Sequence, residues 1–415
     1  MKVFKFGGAS VNSVERIKNL AAIVQAEQGP LVIIISAMGK TTNALEKVTE
    51  SFYAGRQEEA LGLFETVKQN HLSTAKYLLI TRFNDCLRQL TDFFTEIEWL
   101  LHDKPVREFD YYYDQIVCAG ELLSTCIVSH YLEEAGIGNT WLDVRDLVRT
   151  DNNFRDAAID WPVTADRVTT AVHGHAIYLT QGFIGSTDDN ESTTLGREGS
   201  DYTAAVFANI LQAENLTIWK DVEGVMNADP KQFADARLIP ELSFTEVIEM
   251  AYYGAQVIHP KTIKPLQNKK IPLYVKCFLD PSLPGTVIRD KNVKGLPPII
   301  VIKENQALLH LHSKDFSFVG EQLMSRLYAM FENIRIRPNL IQSGAISVQV
   351  CLDDRPEKVD QLAAEAGDVF DVNVEKQLSL LTIRHYHAQV FDSLTNGKEI
   401  VLSQRTPETV QALYR

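Results

Sequence analysis

KFGGAS, residues 5–10, follows the apolar run VFKF (3–6) and leads into VERIKNLAAIVQAEQG (14–29). That second stretch is apolar at helical spacing and is stopped by Gly29-Pro30. A strand, a glycine pair and a helix therefore meet here. Bare backbone at Gly7 and Gly8 lets N–H groups approach a ligand, a helix N-terminus adds positive potential, and Lys5 adds a full charge. Asn12 or Ser13 is the expected N-cap. The same residues also read as a tight strand-to-helix turn beside a solvated lysine. They are not a GxxxxGK[ST] phosphate loop.

Outward from this stretch, short apolar runs keep alternating with longer helical patterns. LVIIIS (31–36) reads as a buried strand, and a long helical stretch follows from roughly 41 to 135. AIYLTQGFIG (176–185), LTIWKDV (216–222) and IPLYVKCF (271–278) read as strands. A helix from about Ser200 to Leu211 and two helical stretches over 244–267 lie between them. Strands separated by helices imply an α/β fold, a mostly parallel sheet covered by helices on both faces. Ligands of such sheets bind beyond the carboxyl ends of the strands, where the glycine-rich stretches fall.

DPSLPGT (280–286) and KGLPP (294–298) mark a break. Beyond it, ALLHLHS (307–313), a helix near 319–333, LIQSGAISVQVCLD (340–353), a helix near 356–366 and FDVNVEKQ (370–377) read as βαββαβ, an α+β domain. LSLLTIRHY (378–386) and EIVLSQRT (399–406) resemble parts of a second, shortened copy. Only about a dozen residues join those two strands, too few for a full helix and strand pair. The expected division is 1–290, 300–377 and 378–415.

QGFIGSTDDNESTTLGREGSDYTA (181–204) carries four glycines among Ser, Thr and Asp. Its middle reads as a hairpin. In TLGREGSD, Ser200 or Asp201 is an expected helix cap, and Arg197 offers a planar fork for a carboxylate or phosphate. In IWKDVEGVMNADPK (218–231), Asp221 and Asp229 are placed to orient nucleotide groups or a metal shell, or only to shape turns. VCAGELLS (117–124) puts Glu121 in an apolar helix, where a carboxylate matters only if it faces the cleft.

The net charge is −13 and charged residues make up 23% of the chain, so nucleic acid and anionic membranes are not expected partners. The five cysteines are odd in number and widely spaced, without a CxxC. A disulfide framework or thiolate zinc site is not expected, and buried apolar roles are. MKVFKFGG lacks a signal-peptide core, and no apolar run approaches a membrane span, which places the expectation in the cytoplasm.

Lys5–Ser10, SAMGKTT (36–42), Gly120-Glu121, Gln181–Ser186, Thr194–Ala204, Asp221–Lys231 and Gly254–Pro260 occur in the order of the aspartate kinase family, which the chain resembles over essentially its whole length. The resemblance implies an amino-acid kinase fold followed by an ACT regulatory region. It implies transfer of the ATP γ-phosphoryl group to the β-carboxylate of L-aspartate, with Mg²⁺, at the head of lysine, threonine and methionine biosynthesis. That acceptor is ionised at neutral pH, with a pKa of about 3.9, so positioning and charge neutralisation carry the catalysis. By resemblance, Lys5, Gly7, Gly8 and Asp201 are catalytic, Arg197 clamps a substrate carboxylate, and Glu121 holds the ammonium. Ser36, Thr42, Phe183, Thr194 and Ser200 line the acceptor site. Lys5, Gly8, Lys220, Asp221, Gly224, Met226, Asp229, Lys231 and Gln256 fall to ATP. No protein ligand to the metal is named, since phosphates and water hold Mg²⁺ in many kinases.

Three positions depart from the family pattern: Ala9 where Thr is usual, Glu198 in GREGSD where Gly is often found, and Gln256 where Lys is often found. Glu198 must point away from the phosphates or repel them, and Lys261 could replace the missing lysine. The ACT resemblance implies a homodimer or larger assembly and a lysine or threonine effector, with Ser313, Asp315, Phe316, Asn339 and Ser343 as candidate contacts. The rival readings are a non-catalytic amino-acid sensor and another amino-acid kinase such as acetylglutamate kinase. Glu121 argues against the latter, whose substrate nitrogen is acylated. The length is expected to leave no room for an appended homoserine dehydrogenase.

Overall fold

The computed structural model describes residues 1–174, 176–255 and 258–415. They form two compact units. The first gathers Met1–Val225, Leu238–Ile248 and the stretch from Ile258 to Val293. The second gathers Met226–Arg237, the stretch from Glu249 to Ala255, and Lys294–Arg415.

The first unit is built on strands β1 (Lys2–Phe6), β2 (Leu31–Ile35), β3 (Thr140–Leu142), β4 (Ile177–Gln181), β5 (Ile184–Ser186), β6 (Ser192–Thr194), β7 (Leu216–Lys220), β8 (Glu241–Ser243), β9 (Leu273–Cys277) and β10 (Thr286–Arg289). Eight of them form one sheet in the order β3-β4-β2-β1-β7-β9-β10-β8, and β5 and β6 form a separate hairpin. Every pair from β3 to β9 is parallel, while β10 runs antiparallel to β9. β2 is buried at all five positions, as a strand covered on both faces must be. The carboxyl ends of β1, β2, β4 and β7 lie side by side, and KFGGAS, SAMGKTT, QGFIG and KDVEG leave from that edge.

The helix Val14–Ala26 buries Ile17, Leu20, Ala21 and Val24 against the sheet. Its cap is Ser13, whose Oγ accepts from the Arg16 amide at 3.3 Å. The stretch 41–135 resolves into five helices: Thr41–Tyr53, Gln57–Leu78, Phe83–His102, Phe109–Val117 and Ala119–Glu134. The last is buried nearly all round, so it is a core helix and not a half-exposed one. The expectation that Ser200 or Asp201 caps the next helix is corrected. Gly199–Ile210 starts after Glu198, whose backbone is left-handed (φ 53°) and makes no side-chain cap. Ser200 and Asp201 sit in its first turn, buried.

The second unit carries β11 (Ile299–Ser313), β12 (Pro338–Ser343), β13 (Ser347–Asp353), β14 (Phe370–Arg384), β15 (Ile400–Arg405) and β16 (Thr409–Tyr414) in one sheet, ordered β12-β13-β11-β14-β16-β15. Helices Glu321–Ile334 and Pro356–Ala366 complete a βαββαβ pattern from β11 to β14. They bury Leu327, Phe331, Val359 and Leu362 against Leu309, Leu311 and Val350.

β11 and β14 are long and pair over their whole length, with a register irregularity from Lys303 to Leu308. Beyond it, Ile299–Lys303 pairs with Leu380–Arg384, which pairs in turn with β16. The helix Ala388–Thr395 packs Phe391 onto Leu381, Ile383 and Val410 here. The linker of the shortened copy holds one short helix and no strand, as its length implied, and a further strand, β16, follows it. The copy also uses the start of β11 and is not confined to 378–415. The chain at 226–237 joins this unit through hydrogen bonds from the Ile300 amide to the Asn227 carbonyl (2.7 Å) and from Asn227 Nδ2 to the Pro298 carbonyl (2.9 Å).

Among the described residues no helix is long and apolar enough to cross a membrane. All five cysteines are buried as free thiols. Cys86, Cys126 and His130 bring three metal-type donor atoms within 4.8 Å of one another. The Cys126 thiol is pushed up by its Cys86 hydrogen bond and by burial, so it is held protonated.

Candidate active site

The four adjacent strand ends open into a cleft of about 590 Å³ within the first unit. Lys5, Gly7 and Gly8 line it from the end of β1, Ser36 and Thr42 from beyond β2, and Phe183 from beyond β4. Thr194, Arg197, Ser200 and Asp201 reach it from the hairpin and the helix that follows. Glu121 enters from the buried helix, and Lys220 and Asp221 from the end of β7. These thirteen expected residues line one cleft, at the edge where those four strands end.

The floor of the cleft is an ion pair. Lys5 Nζ lies 2.6 Å from Asp201 Oδ1, and Lys220 Nζ lies 3.9 Å from Asp201 Oδ2. Burial alone would raise the Asp201 carboxyl, but Lys5 and then Lys220 outweigh it and hold the group below its ordinary range. Asp201 thus fixes two cations in place. Arg197 is exposed and makes no hydrogen bond or ion pair among the described residues, and the same holds for Asp221.

Glu121 is 2% exposed. Its Oε1 accepts from the Ala37 amide at 3.1 Å, and its Oε2 has no hydrogen-bond partner among the described residues. Burial pushes this carboxyl up to about 8, while the Ala37 amide and the charge of Lys5 pull the other way. Ser124, on the same helix, donates to the Ser36 carbonyl at 2.8 Å, so this helix holds the loop after β2. An oxygen without a partner in a polar cleft suits a cationic ligand group.

The backbone is shaped to leave the cleft open. A Cβ on Gly8 would stand 2.6 Å from the Ala37 carbonyl oxygen, and one on Gly182 would stand 2.6 Å from the Ser200 Cβ. Phe183 adopts a left-handed backbone (φ 72°), with its amide donating to Thr203 Oγ1 at 3.0 Å. A side-chain-bearing residue keeps that conformation only where its surroundings fix it.

Three cleft residues escaped the sequence reading. Asp114 is fully buried and accepts from the Thr194 amide, the Thr194 hydroxyl and the Arg155 amide. Tyr113 and Arg155 line the cleft itself. FDYYYDQIV (109–117) shows an unusual acid inside an aromatic run, the only signal available for Asp114. Nothing in sequence joins it to residues 155 and 194.

Residues 1–277 match the amino acid kinase family. The chain is 30% identical to the lysine-sensitive aspartokinase 3 of Escherichia coli over 394 residues, covering 92% of this chain and 86% of that one. The chain belongs to the aspartokinase family. Solved E. coli aspartokinase III in complex with aspartate and ADP (R-state) superposes with a TM-score of 0.84 at 27% identity, over all of this chain and 96% of that one. The same enzyme in complex with lysine and aspartate (T-state) superposes at 0.81 and 27% identity, over all of this chain and 95% of that one.

Within this aspartokinase-family chain, Glu198 Oε2 accepts from the His259 amide at 3.0 Å, so one carboxylate oxygen is spent on backbone. The Lys261 ammonium donates to Asp156 Oδ1 and the Leu195 carbonyl, both at 2.9 Å, so the substitute expected for the missing lysine is committed elsewhere. Gln256 lies outside the described residues. Gly224 does not line the cleft. A Cβ there would meet Leu238 at 2.6 Å and Thr286 Oγ1 at 2.7 Å, so its glycine is explained by packing. Met226, Asp229 and Lys231 belong to the stretch that groups with the second unit, where Asp229 Oδ1 accepts from the Lys231 amide at 2.9 Å.

The effector candidates fall in two places. Asp315 accepts from the hydroxyls of Ser317 and Ser313 and from the Ser317 amide, which together draw its carboxyl down to about 2. Phe316 beside it is 79% exposed. Ser343 ends β12, and the turn after it accepts from the Ser313 and Val319 amides. Asn339 lies apart from these, at the β11 irregularity, bonded to Lys303 (2.8 Å), Gln306 (2.7 Å) and Asp353 (2.7 Å).

Proposed function

We propose that this aspartokinase-family enzyme transfers the γ-phosphoryl group of ATP to the β-carboxylate of L-aspartate, giving 4-phospho-L-aspartate and ADP. The observation that carries the reading is Glu121, a buried carboxylate with one oxygen without a partner among the described residues, in the same cleft as Arg197 and the Lys5–Asp201 pair. An α-ammonium group fits it. An acylated nitrogen carries no charge that would draw this buried carboxyl into its ionised form.

The acceptor arrives ionised, so no base is required. A carboxylate oxygen forms the new bond to phosphorus as the bond from phosphorus to the bridging oxygen of ADP breaks, and ADP leaves with that electron pair. The obstacle is bringing an anion to a polyanion. Lys5, held by Asp201, and the amides of Gly7 and Gly8 stabilise charge on the transferring group. Arg197, with its fork free among the described residues, orients a substrate carboxylate. Lys220 and Asp221 serve the nucleotide end. Mg²⁺ bound with ATP supplies further neutralisation of phosphate charge. Asp221 suits an outer contact to it, whereas Asp201 is already engaged by Lys5 and Lys220.

The second unit serves regulation, with lysine as the amino acid to test first, because the E. coli relative is lysine-sensitive. Phe316 and Phe318, each 79% exposed, are apolar surface of the kind that pairing of two such units into a homodimer would cover. The deciding experiment traps the acyl phosphate as hydroxamate, with ATP and Mg²⁺, comparing L-aspartate, L-glutamate and N-acetyl-L-glutamate. Turnover with aspartate alone, lost in Lys5→Ala and Arg197→Ala, is the expected result. Turnover with N-acetyl-L-glutamate instead would overturn it.

A further inference from the structure

Arg155 stands on the wall of the cleft with a left-handed backbone (φ 70°). Glycine takes that conformation freely, and arginine does not. The surroundings hold it there. Asp114 accepts the Arg155 amide at 3.0 Å, and the guanidinium carbon lies 4.3 Å from the centre of the Tyr113 ring. Nη1 donates to Asp110 at 3.1 Å, and Nη2 is 3.8 Å from Glu46. Nε and Nη2 make no hydrogen bond among the described residues.

All these supports lie on the acceptor side of the cleft. Asp110, Tyr113 and Asp114 belong to the helix Phe109–Val117, and Glu46 belongs to the helix that brings Thr42. Asp114 also holds Thr194. Lys220 and Asp221, by contrast, come from the end of β7. The carboxylates of Asp110 and Glu46 are 55% and 40% exposed, and pairs so exposed are weak and exchangeable. A strained residue, an aromatic seat and free donors on one guanidinium are the attributes of a fork kept ready for an anion.

We propose that Arg155 is a specificity-determining residue that binds the non-reacting carboxylate of the amino-acid acceptor, complementing Arg197; the inference rests on reading this cleft as an aspartate kinase site. Arg155 is 42% exposed, whereas Lys5 and Asp201 of the floor are 11% and 5% exposed, which assigns it the carboxylate that does not react.

The test uses the full chain and two variants, Arg155→Lys and Arg155→Gly, with L-aspartate and its α-amide as acceptors. Arg155→Gly is expected to raise KM for aspartate roughly 10- to 100-fold, the worth of a charge-assisted pair, with KM for ATP moving by less than about 2-fold. Arg155→Lys recovers only part of the loss, because an ammonium has no fork. The α-amide lacks the proposed partner, so wild type and Arg155→Gly should handle it alike. Arg155→Gly should keep or raise Tm, because the left-handed strain is relieved, which a merely structural arginine would not show. Unchanged KM for aspartate in an active Arg155→Gly enzyme, or an equal rise in KM for ATP, overturns this inference alone. A wild type that neither phosphorylates aspartate nor binds it by calorimetry overturns the underlying kinase reading and this inference with it.

Discussion

Asp114 and Thr194 are joined twice: Asp114 Oδ2 accepts the Thr194 amide at 2.8 Å, and Oδ1 accepts the Thr194 hydroxyl at 2.7 Å. A fully buried carboxylate thereby fixes a cleft residue in both its backbone and its side chain. Burial pushes the Asp114 carboxyl up to about 6, and the bonds from Arg155 and Thr194 pull it back. Replacing Asp114 with Ala leaves three donors, the Arg155 and Thr194 amides and the Thr194 hydroxyl, without their acceptor. Asp114→Ala should cost about 2–4 kcal/mol, read as a lower midpoint in urea. It should also raise KM for aspartate more than KM for ATP. A midpoint within error of wild type would remove Asp114 from its supporting role.

Glu121 makes aspartate binding depend on pH. Its carboxyl is raised to about 8, so below that pH it is largely protonated and uncharged. An incoming ammonium requires the ionised form, so affinity for aspartate should rise as pH increases from about 6.5 to 8.5. Near pH 7 binding should release close to one proton, visible in calorimetry as heats that change with the ionisation enthalpy of the buffer. Glu121→Gln should flatten the profile and abolish the proton release. The stability sign runs the other way. A carboxyl raised in the folded state favours folding below its unfolded pKa, and that contribution is lost as pH rises through about 8. Glu121→Gln should therefore gain midpoint on wild type at pH 8 relative to pH 5.

Lys5 carries both charge and structure. With side chains 11% and 5% exposed, Lys5 and Asp201 form a buried pair. Lys5→Met should lower kcat by about 10²- to 10³-fold, the scale for removing one preorganised electrostatic partner. It also leaves Asp201 with only Lys220, at 3.9 Å, which should destabilise the fold by about 2–4 kcal/mol. Asp201→Asn in the same background should restore part of the stability without restoring turnover. Stability unchanged by Lys5→Met would mean that water takes over the lysine's role.

Much of the cleft was legible because one edge of a parallel sheet gathers loops that are already rich in glycine. KFGGAS and TLGREGSD lie nearly two hundred residues apart in sequence, yet β1 and the helix after Glu198 bring Lys5 and Asp201 to 2.6 Å. Strand period and helical spacing place both stretches at the carboxyl edge of the sheet, and the resemblance to the aspartate kinase family gave Lys5 and Asp201 their roles. Asp114, Tyr113 and Arg155 were not legible, because a buried hydrogen bond between residues 114 and 194 leaves no periodic trace. Ser200 misled as a cap because Glu198 reaches the helix start first in a left-handed conformation. The linker of the short last copy was read correctly, but a division at 378 leaves out Ile299–Lys303, which supplies one of its strands.

The two long strands of the second unit run without a break from one helix-covered half of the sheet into the other. Lys303 and Gln306, at the irregularity between the halves, are both tied to Asn339. β11 and β14 thus act as continuous rails, and a ligand that shifts the register of Ser313 against Phe370 pulls on β14, the strand whose far end pairs with β16. The regulatory region has no natural cutting point. Excision after residue 377 would strip Ile299–Lys303 of its partner strand and leave an unpaired edge where the native sheet is continuous.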